Sequence, residues 1–298
     1  AFSSLLDTRL VISDTYTIAA VSLISAGIAF KLSLAPFHIW TPDVYEGSPI
    51  PSTTYLATIG KAAMFVVLLR FVEISDALTF KSVVAVFSII AVISIMVGNL
   101  LALMQDNLKR ILAYSSIAHM GYLLIAVIAS FFAVGTVSIE AVTFYLLAYV
   151  IMSLGAFGVL SIFSSSQNEL DSIADYQGLF WRSPWLAAVF TGMLLSLAGI
   201  PLTVGFIGKF YVFLAGVETE LWILLSVLIV GSGIGLYYYL RIVYRMLMPV
   251  SGDNILVDTR MENLSTLGVL AILFVLLLAL GIYPAPIMAI IEAISVHI

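Results

Sequence analysis

The chain has 298 residues, of which 62% are hydrophobic and 10% charged, and its mean hydropathy is +1.16. Soluble domains carry about a quarter of their residues as charges, so this composition excludes an ordinary soluble enzyme and predicts an all-α integral membrane protein. Cysteine is absent, which removes disulfides, thiolate metal sites and cysteine nucleophiles, and the formal net charge of -5 is spread through loops with no basic run for nucleic acid.

Residues 1–14 read as a short amphipathic connector that begins Ala1-Phe2-Ser3, with no initiator methionine and no charged leader, as though it continues something longer. Eight apolar runs follow, at 15–37, 53–72, 82–104, 111–133, 139–163, 185–216, 221–245 and 264–282. Each is near the roughly 20 residues that a spanning helix needs. The most polar connection is 164–183, and a second polar loop, 249–263, holds Gly252, Asp253, Asn254 and Asp258. The pattern predicts a polytopic bundle of about eight transmembrane helices, two of them broken.

The first break lies in FKLSLAPFHIWTPDVYEGSPIPSTTYLATIGK, residues 30–61. Lys31 stands inside an apolar run, Pro36 follows five residues later, and Lys61 stands inside the next run. The second break lies in SLAGIPLTVGFIGKFYVF, where Pro201 is flanked by Gly199, Gly205 and Gly208, with Lys209 beyond. Broken helices at membrane depth are tolerated where protein or a watery cavity satisfies the freed backbone groups. The two breaks are five spans apart, an odd offset, so the two helices run in opposite directions. That is the pattern of inverted-repeat transporters, whose sites lie at such interruptions.

Orientation follows from the basic residues outside the apolar cores. Alternation places Lys109, Arg110, Arg182, Arg241, Arg245 and Arg260 on one side, and Arg9 and Lys81 on the other with Arg70 near it. The first side is expected to be cytoplasmic, with both chain ends on the outer face. Trp40, Trp181, Trp185 and Trp222 fall near predicted helix ends, as an interfacial belt requires.

Lys31, Lys61 and Lys209 are the basic residues well inside apolar runs. Each costs roughly 2.5–3.5 kcal/mol at a helix centre on insertion scales. The bland reading is snorkelling to the headgroups, which suits Arg70 near a helix end better than it suits Lys61 or Lys209. The functional reading is proton transfer: desolvation disfavours the ammonium and a nearby carboxylate favours it, so shifting that carboxylate releases or recaptures a proton. His119, in LKRILAYSSIAHMGYLL with Ser115, Ser116 and Tyr122, is either a relay or a packing histidine. His38 is either a proton entrance or an interfacial residue, and His297 is terminal with no case for function. Glu140 and Glu73 are expected to cap helices or face water. Asp171, Asp175, Asp253, Asp258 and Glu169 read as solvated loop charges, and Tyr237, Tyr238 and Tyr239 as lipid or helix packing. Gly231, Gly233 and Gly235 read as close helix contacts rather than a phosphate loop, and no metal-ligand spacing or Ser/His/Asp arrangement occurs.

Three separated stretches, PFHIWTPDVYEGSPIP (36–51), QDNLKRILAYSSIAHMGYLL (105–124) and LAGIPLTVGFIGKF (197–210), resemble the antiporter-like membrane subunits of respiratory complex I, the proton-translocating NADH:quinone oxidoreductase, in family order. The resemblance implies that Lys31 is the lysine of the first broken helix, Lys61 the connecting lysine and Lys209 the terminal lysine on the second. It also implies two inverted five-helix repeats: residues 15–72 would end the first, 73–245 would form the second, and 246–298 would hold a loop and a final helix. A glutamate that pairs with Lys31 in the family would precede this chain, so the resemblance implies that about a third or more of the subunit lies before Ala1. It implies no cofactor in this chain, other membrane subunits of the complex and lipid as partners, quinone only indirectly, and a bacterial inner membrane rather than a mitochondrial one. Rival readings are a subunit of a multi-subunit cation/proton antiporter and a structural membrane subunit without its own proton path.

Overall fold

The structure, a computed structural model, describes residues 15–75, 77–132, 137–163, 170–249 and 264–295. The 1–14 connector with Arg9, residues 164–169, the 250–263 part of the second polar loop with Arg260, and His297 lie outside the described residues. In a membrane every backbone polar group must be satisfied within the protein, which leaves helices for spans built of such apolar runs. Among the described residues the α-helices are α1 (Thr15–Leu32), α2 (Trp40–Gly47), α3 (Ile50–Ala57), α4 (Ile59–Ser75), α5 (Lys81–Leu103), α6 (Leu108–Phe132), α7 (Val137–Phe163), α8 (Leu179–Arg182), α9 (Pro184–Ala198), α10 (Val204–Glu218), α11 (Trp222–Leu247), α12 (Leu264–Ile282) and α13 (Ala285–Ser295). Helices α3 and α4 run as one stretch from Ile50 to Ser75, and with α5, α6, α7, α11 and α12 they give six stretches long and apolar enough to cross a membrane. Helix α13 has no counterpart in the sequence reading, because its 11 residues are too few to register as a span.

Both predicted breaks are real interruptions, and hydrogen bonds satisfy several freed backbone groups at each. Helix α1 ends where Ser33 turns left-handed (φ 63) and the Leu34 N–H returns to the Ala29 carbonyl at 2.9 Å. The Ala35 N–H donates to Ser94 Oγ on α5 (2.9 Å), and the Thr41 hydroxyl donates to Ser33 Oγ (2.7 Å). Helix α9 ends at Gly199, whose φ of +90 is a conformation only glycine adopts without strain, and its N–H closes onto Leu195 and Ser196. The Gly205 N–H, freed at the start of α10, donates to Ser196 Oγ at 3.0 Å.

Helix α6 is the centre of the bundle. It packs against α2, α5, α7, α10 and α11, and its apolar stretch is entirely enclosed by protein. It crosses α5 through small residues. A Cβ on Gly98 would lie 2.7 Å from backbone atoms of Tyr114 and Ala118, and one on Gly121 would lie 3.0 Å from the Ala91 carbonyl. Such close approach is how helices associate in lipid, where no hydrophobic gain draws them together. The expected glycine contacts on α11 hold for Gly231, which faces Ile95, Tyr122 and Asn99, and not for Gly233, which meets nothing. Replacing Gly98 or Gly121 by Val is predicted to destabilise the bundle by about 1–3 kcal/mol or more, seen as a lower thermal midpoint in detergent, whereas Gly233→Ala leaves that midpoint unchanged or slightly raised.

Candidate functional site

Helix α6 carries a polar stripe. Ser115, His119 and Tyr122 recur at three- and four-residue spacing, which puts them on one face, with Ser116 beside them. All four are buried. Ser116 is the meeting point on one side: Lys61 Nζ donates to its Oγ at 2.5 Å, and the Tyr149 hydroxyl lies 2.9 Å from the same atom and 3.0 Å from the Ala57 carbonyl. Lys61 is buried at 1% exposure, which excludes snorkelling to headgroups. It is the third residue of α4, just past the interruption at Thr58, and Ala57 ends α3. The interruption therefore supplies both the lysine and a free carbonyl acceptor.

His119 stands between the two halves of the site. Its Nδ1 is 2.7 Å from the Tyr145 hydroxyl, and its ring lies 5.5 Å from that of Tyr149. Tyr145 and Tyr149 are one turn apart on α7 and present one face to α6. Gly208 packs directly on the Tyr145 ring, and Lys209 follows it. Lys209 Nζ donates to the carbonyls of Leu197 (3.0 Å) and Ala198 (2.9 Å), the last turn of α9. Those carbonyls have no helical partner beyond the break and form the negative end of the half-helix dipole, so they favour an ammonium. Gly199 leaves the lysine its room, since a Cβ there would sit 3.0 Å from Lys209 Cδ.

A side network joins the stripe to α5 and α11. Asn99 Nδ2 donates to the Tyr122 hydroxyl (3.0 Å), the Tyr238 hydroxyl donates to Asn99 Oδ1 (3.2 Å), and the Tyr239 hydroxyl bonds Ser115. Tyr238 and Tyr239 thus pack between helices, as the sequence reading allowed, and also carry hydrogen bonds it did not foresee; of the three tyrosines, only Tyr237 is exposed. Adjacent tyrosines on a helix point about 100° apart, so one of three can face lipid while two face protein.

The remaining predicted residues lie elsewhere. Lys31 is exposed in the last turn of α1. His38 sits half-buried in the first break, its Nδ1 buried without a hydrogen-bond partner. Two of the basic residues grouped by alternation lie against acids. Arg110 holds Asp43 (2.8 Å) and Glu46 (2.5 Å) of α2, and Arg241 lies 3.7 Å from Asp106. Lys109, expected as an interfacial charge, is instead fully buried, with Nζ donating to the carbonyls of Glu46 (2.9 Å) and Ser48 (3.1 Å) at the end of α2. Asp171 and Asp175 are more than solvated loop charges: Asp171 accepts from Asn107 at 2.6 Å, and Asp175 closes a capping box with Ser172. Glu140, expected to cap or meet water, is in the first turn of α7 and buried, where the helix N-terminus favours an acid. Glu73 does face water, paired with Arg70 at 3.2 Å. No cluster of three or more potential metal ligands occurs among the described residues.

The family described as NADH:quinone oxidoreductase/Mrp antiporter, transmembrane, matches residues 1–235. The chain belongs to this family. It is 52% identical over 270 residues to NADH-quinone oxidoreductase subunit N of Methylococcus capsulatus, covering 90% of this chain and 54% of that protein. Against the subunit of the same name from Acinetobacter baumannii it is 51% identical over 280 residues, covering 92% and 55%. The chain thus spans about half the length of the curated relatives it matches. Among solved structures it resembles a chain of respiratory complex I from Thermus thermophilus with bound aureothin, at 36% identity and a TM-score of 0.77, covering 91% of this chain and 58% of that one. A chain of the Mrp complex from Dietzia sp. DQ12-45-1b shares the fold at a TM-score of 0.82 and 20% identity, covering 95% and 60%.

The seat of Lys109 gives a stability prediction. Removing this fully buried side chain leaves a cavity and takes its ammonium from the Glu46 and Ser48 carbonyls, of which Ser48 keeps Thr53 as a donor, so Lys109→Ala is predicted to cost about 1–3 kcal/mol, whereas Lys81→Ala at the exposed start of α5 stays within about 0.5 kcal/mol. Thermal midpoints of the two purified variants check this.

Proposed function

We propose that this chain is part of a proton-translocating membrane subunit of a bacterial NADH:quinone oxidoreductase, residing in the inner membrane beside other membrane subunits of that complex. The observation that carries this reading is the placement of Lys61, His119 and Lys209 along α6, each buried and each joined to a hydroxyl or carbonyl. Membership of the family and the 52% identity to a subunit N support it.

The residues suggest how protons would pass. Lys61 would release a proton to Ser116 while that hydroxyl hands its own proton to a water on the His119 side, so serine and Tyr149 stay neutral. His119 can hold a proton at either ring nitrogen. The Tyr145 hydroxyl at its Nδ1 then leads toward Lys209, whose ammonium the α9 carbonyls stabilise. Water between the rings would complete the row. Lys31 would serve the repeat interface, and His38 an entrance beside the first break. The chain would bind no cofactor of its own, and quinone reduction elsewhere in the complex would drive the charge shifts.

In the complete membrane complex, Lys61→Ala and Lys209→Ala are predicted to assemble normally, and at least one should pump protons about tenfold more slowly or worse. Pumping is measured in inverted membrane vesicles during NADH oxidation. Poor assembly with normal pumping by whatever assembles would instead support a purely structural role. Proton movement driven by a sodium gradient without NADH would support a cation/proton antiporter.

A further inference from the structure

Each lysine of the row has a tyrosine face beneath it that the proton path above does not use. Lys61 Nζ lies 5.9 Å from the ring centroid of Tyr45, and Lys209 Nζ lies 5.1 Å from that of Tyr122. Neither tyrosine offers its hydroxyl to the lysine. That of Tyr122 accepts from Asn99, and that of Tyr45 is buried with no hydrogen-bond partner. Both rings are shut away from solvent, Tyr45 at 0% exposure and Tyr122 at 2%.

The rings are also held from behind. Tyr45 stands edge-on to Phe157, with centroids 6.1 Å apart, and rides on α2, whose last carbonyls are gripped by the buried Lys109. Tyr122 is tied through Asn99 to Tyr238 and stands edge-on to His119 at 5.7 Å. Two tyrosines on different helices thus meet two lysines on different helices in the same manner.

The charge balance gives this arrangement its meaning. Among the described residues neither Lys61 nor Lys209 pairs with a carboxylate. An ammonium enclosed by protein needs compensation, and here it comes from neutral groups: one hydroxyl at Lys61, two carbonyls at Lys209, and a ring at each. The negative face of an aromatic ring attracts a cation most when both are desolvated. A carboxylate at that distance would bind the proton more tightly and hold it. We propose that Tyr45 and Tyr122 are positioning residues of the proton row, whose ring faces hold the protonated lysines in place without trapping the proton. This rests on the reading of Lys61 and Lys209 as proton carriers.

The test is made in the complete membrane complex, with phenylalanine and its mono-, di- and trifluoro derivatives placed separately at positions 45 and 122. Fluorine drains charge from the ring face while nearly keeping its shape, so a role in packing is not disturbed. The proton-pumping rate is expected to fall stepwise with each added fluorine, by about twofold or more over the series. Tyr45→Leu and Tyr122→Leu should lose at least as much, and the unfluorinated Tyr→Phe variants should rescue most of that loss. A response flat across the fluorine series overturns the proposal, as does a Phe variant as poor as its Leu counterpart, which would assign the role to the hydroxyl. Lys61→Ala and Lys209→Ala in the same vesicles separate the two failures. Normal pumping by both removes the proton-carrier reading itself, whereas slow pumping by either with a flat fluorine series removes only the role of the rings.

Discussion

A lipid bilayer offers no water to a polar side chain, and this requirement orders the whole molecule. Helix α6 carries two serines, a histidine and a tyrosine on one stripe, and it is the helix whose apolar stretch is wholly enclosed by neighbours. Helix α12 is the most apolar of the six long stretches and the least enclosed. The arrangement inverts that of a water-soluble protein: the greasiest helix sits outside and the most polar stripe sits at the centre. Small residues on α5 and α6 then let the backbones approach closely enough to close the bundle around that stripe.

The α3–α4 junction and the α9–α10 break serve the stripe with similar parts. Each interruption frees carbonyl oxygens at membrane depth, and a lysine lies nearby. At the α3–α4 junction the Ala57 carbonyl anchors Tyr149, which shares Ser116 with Lys61. At the α9–α10 break the Leu197 and Ala198 carbonyls take Lys209 directly. A continuous helix would keep those carbonyls in its own ladder, so Lys209 would lose the acceptors that make its burial tolerable and Tyr149 would lose one of its partners. The short helix α2 leads from the first break and is held at its far end by Arg110 and Lys109. The exposed ion pairs there contribute little each, but the buried ammonium on the carbonyls of Glu46 and Ser48 fixes where α2 stops.

Much of this was legible in the sequence because lysine and proline are so out of place in apolar runs. Pro36 and Pro201 marked both breaks, and Lys61, Lys209 and His119 are all buried. What escaped notice escaped for a physical reason. A tyrosine in a membrane helix has an apolar body that packs like phenylalanine, so Tyr145, Tyr149, Tyr238 and Tyr239 gave no sign of their hydroxyl contacts. Spacing was the available signal, since Tyr145 and Tyr149 share a face. Asn99 is the single amide in its apolar run and could have been flagged on the same ground as the lysines. Lys109 was hidden by its neighbour: beside Arg110 it reads as one half of an interfacial basic pair, and only the turn of α2 back toward α6 reveals that it points inward.

The central claim is that the interior between Lys61 and Lys209 is a wet path for protons rather than a dry core with two buried amines. Its most direct test is an experimental structure of the full membrane complex at a resolution that shows ordered water around α6. The account predicts a chain of waters linking Ser116, Tyr149, His119 and Tyr145 to Lys209, with both lysine nitrogens inside the bundle. Tight apolar packing between those residues, with no water and the lysine nitrogens turned out to the headgroups, would contradict it.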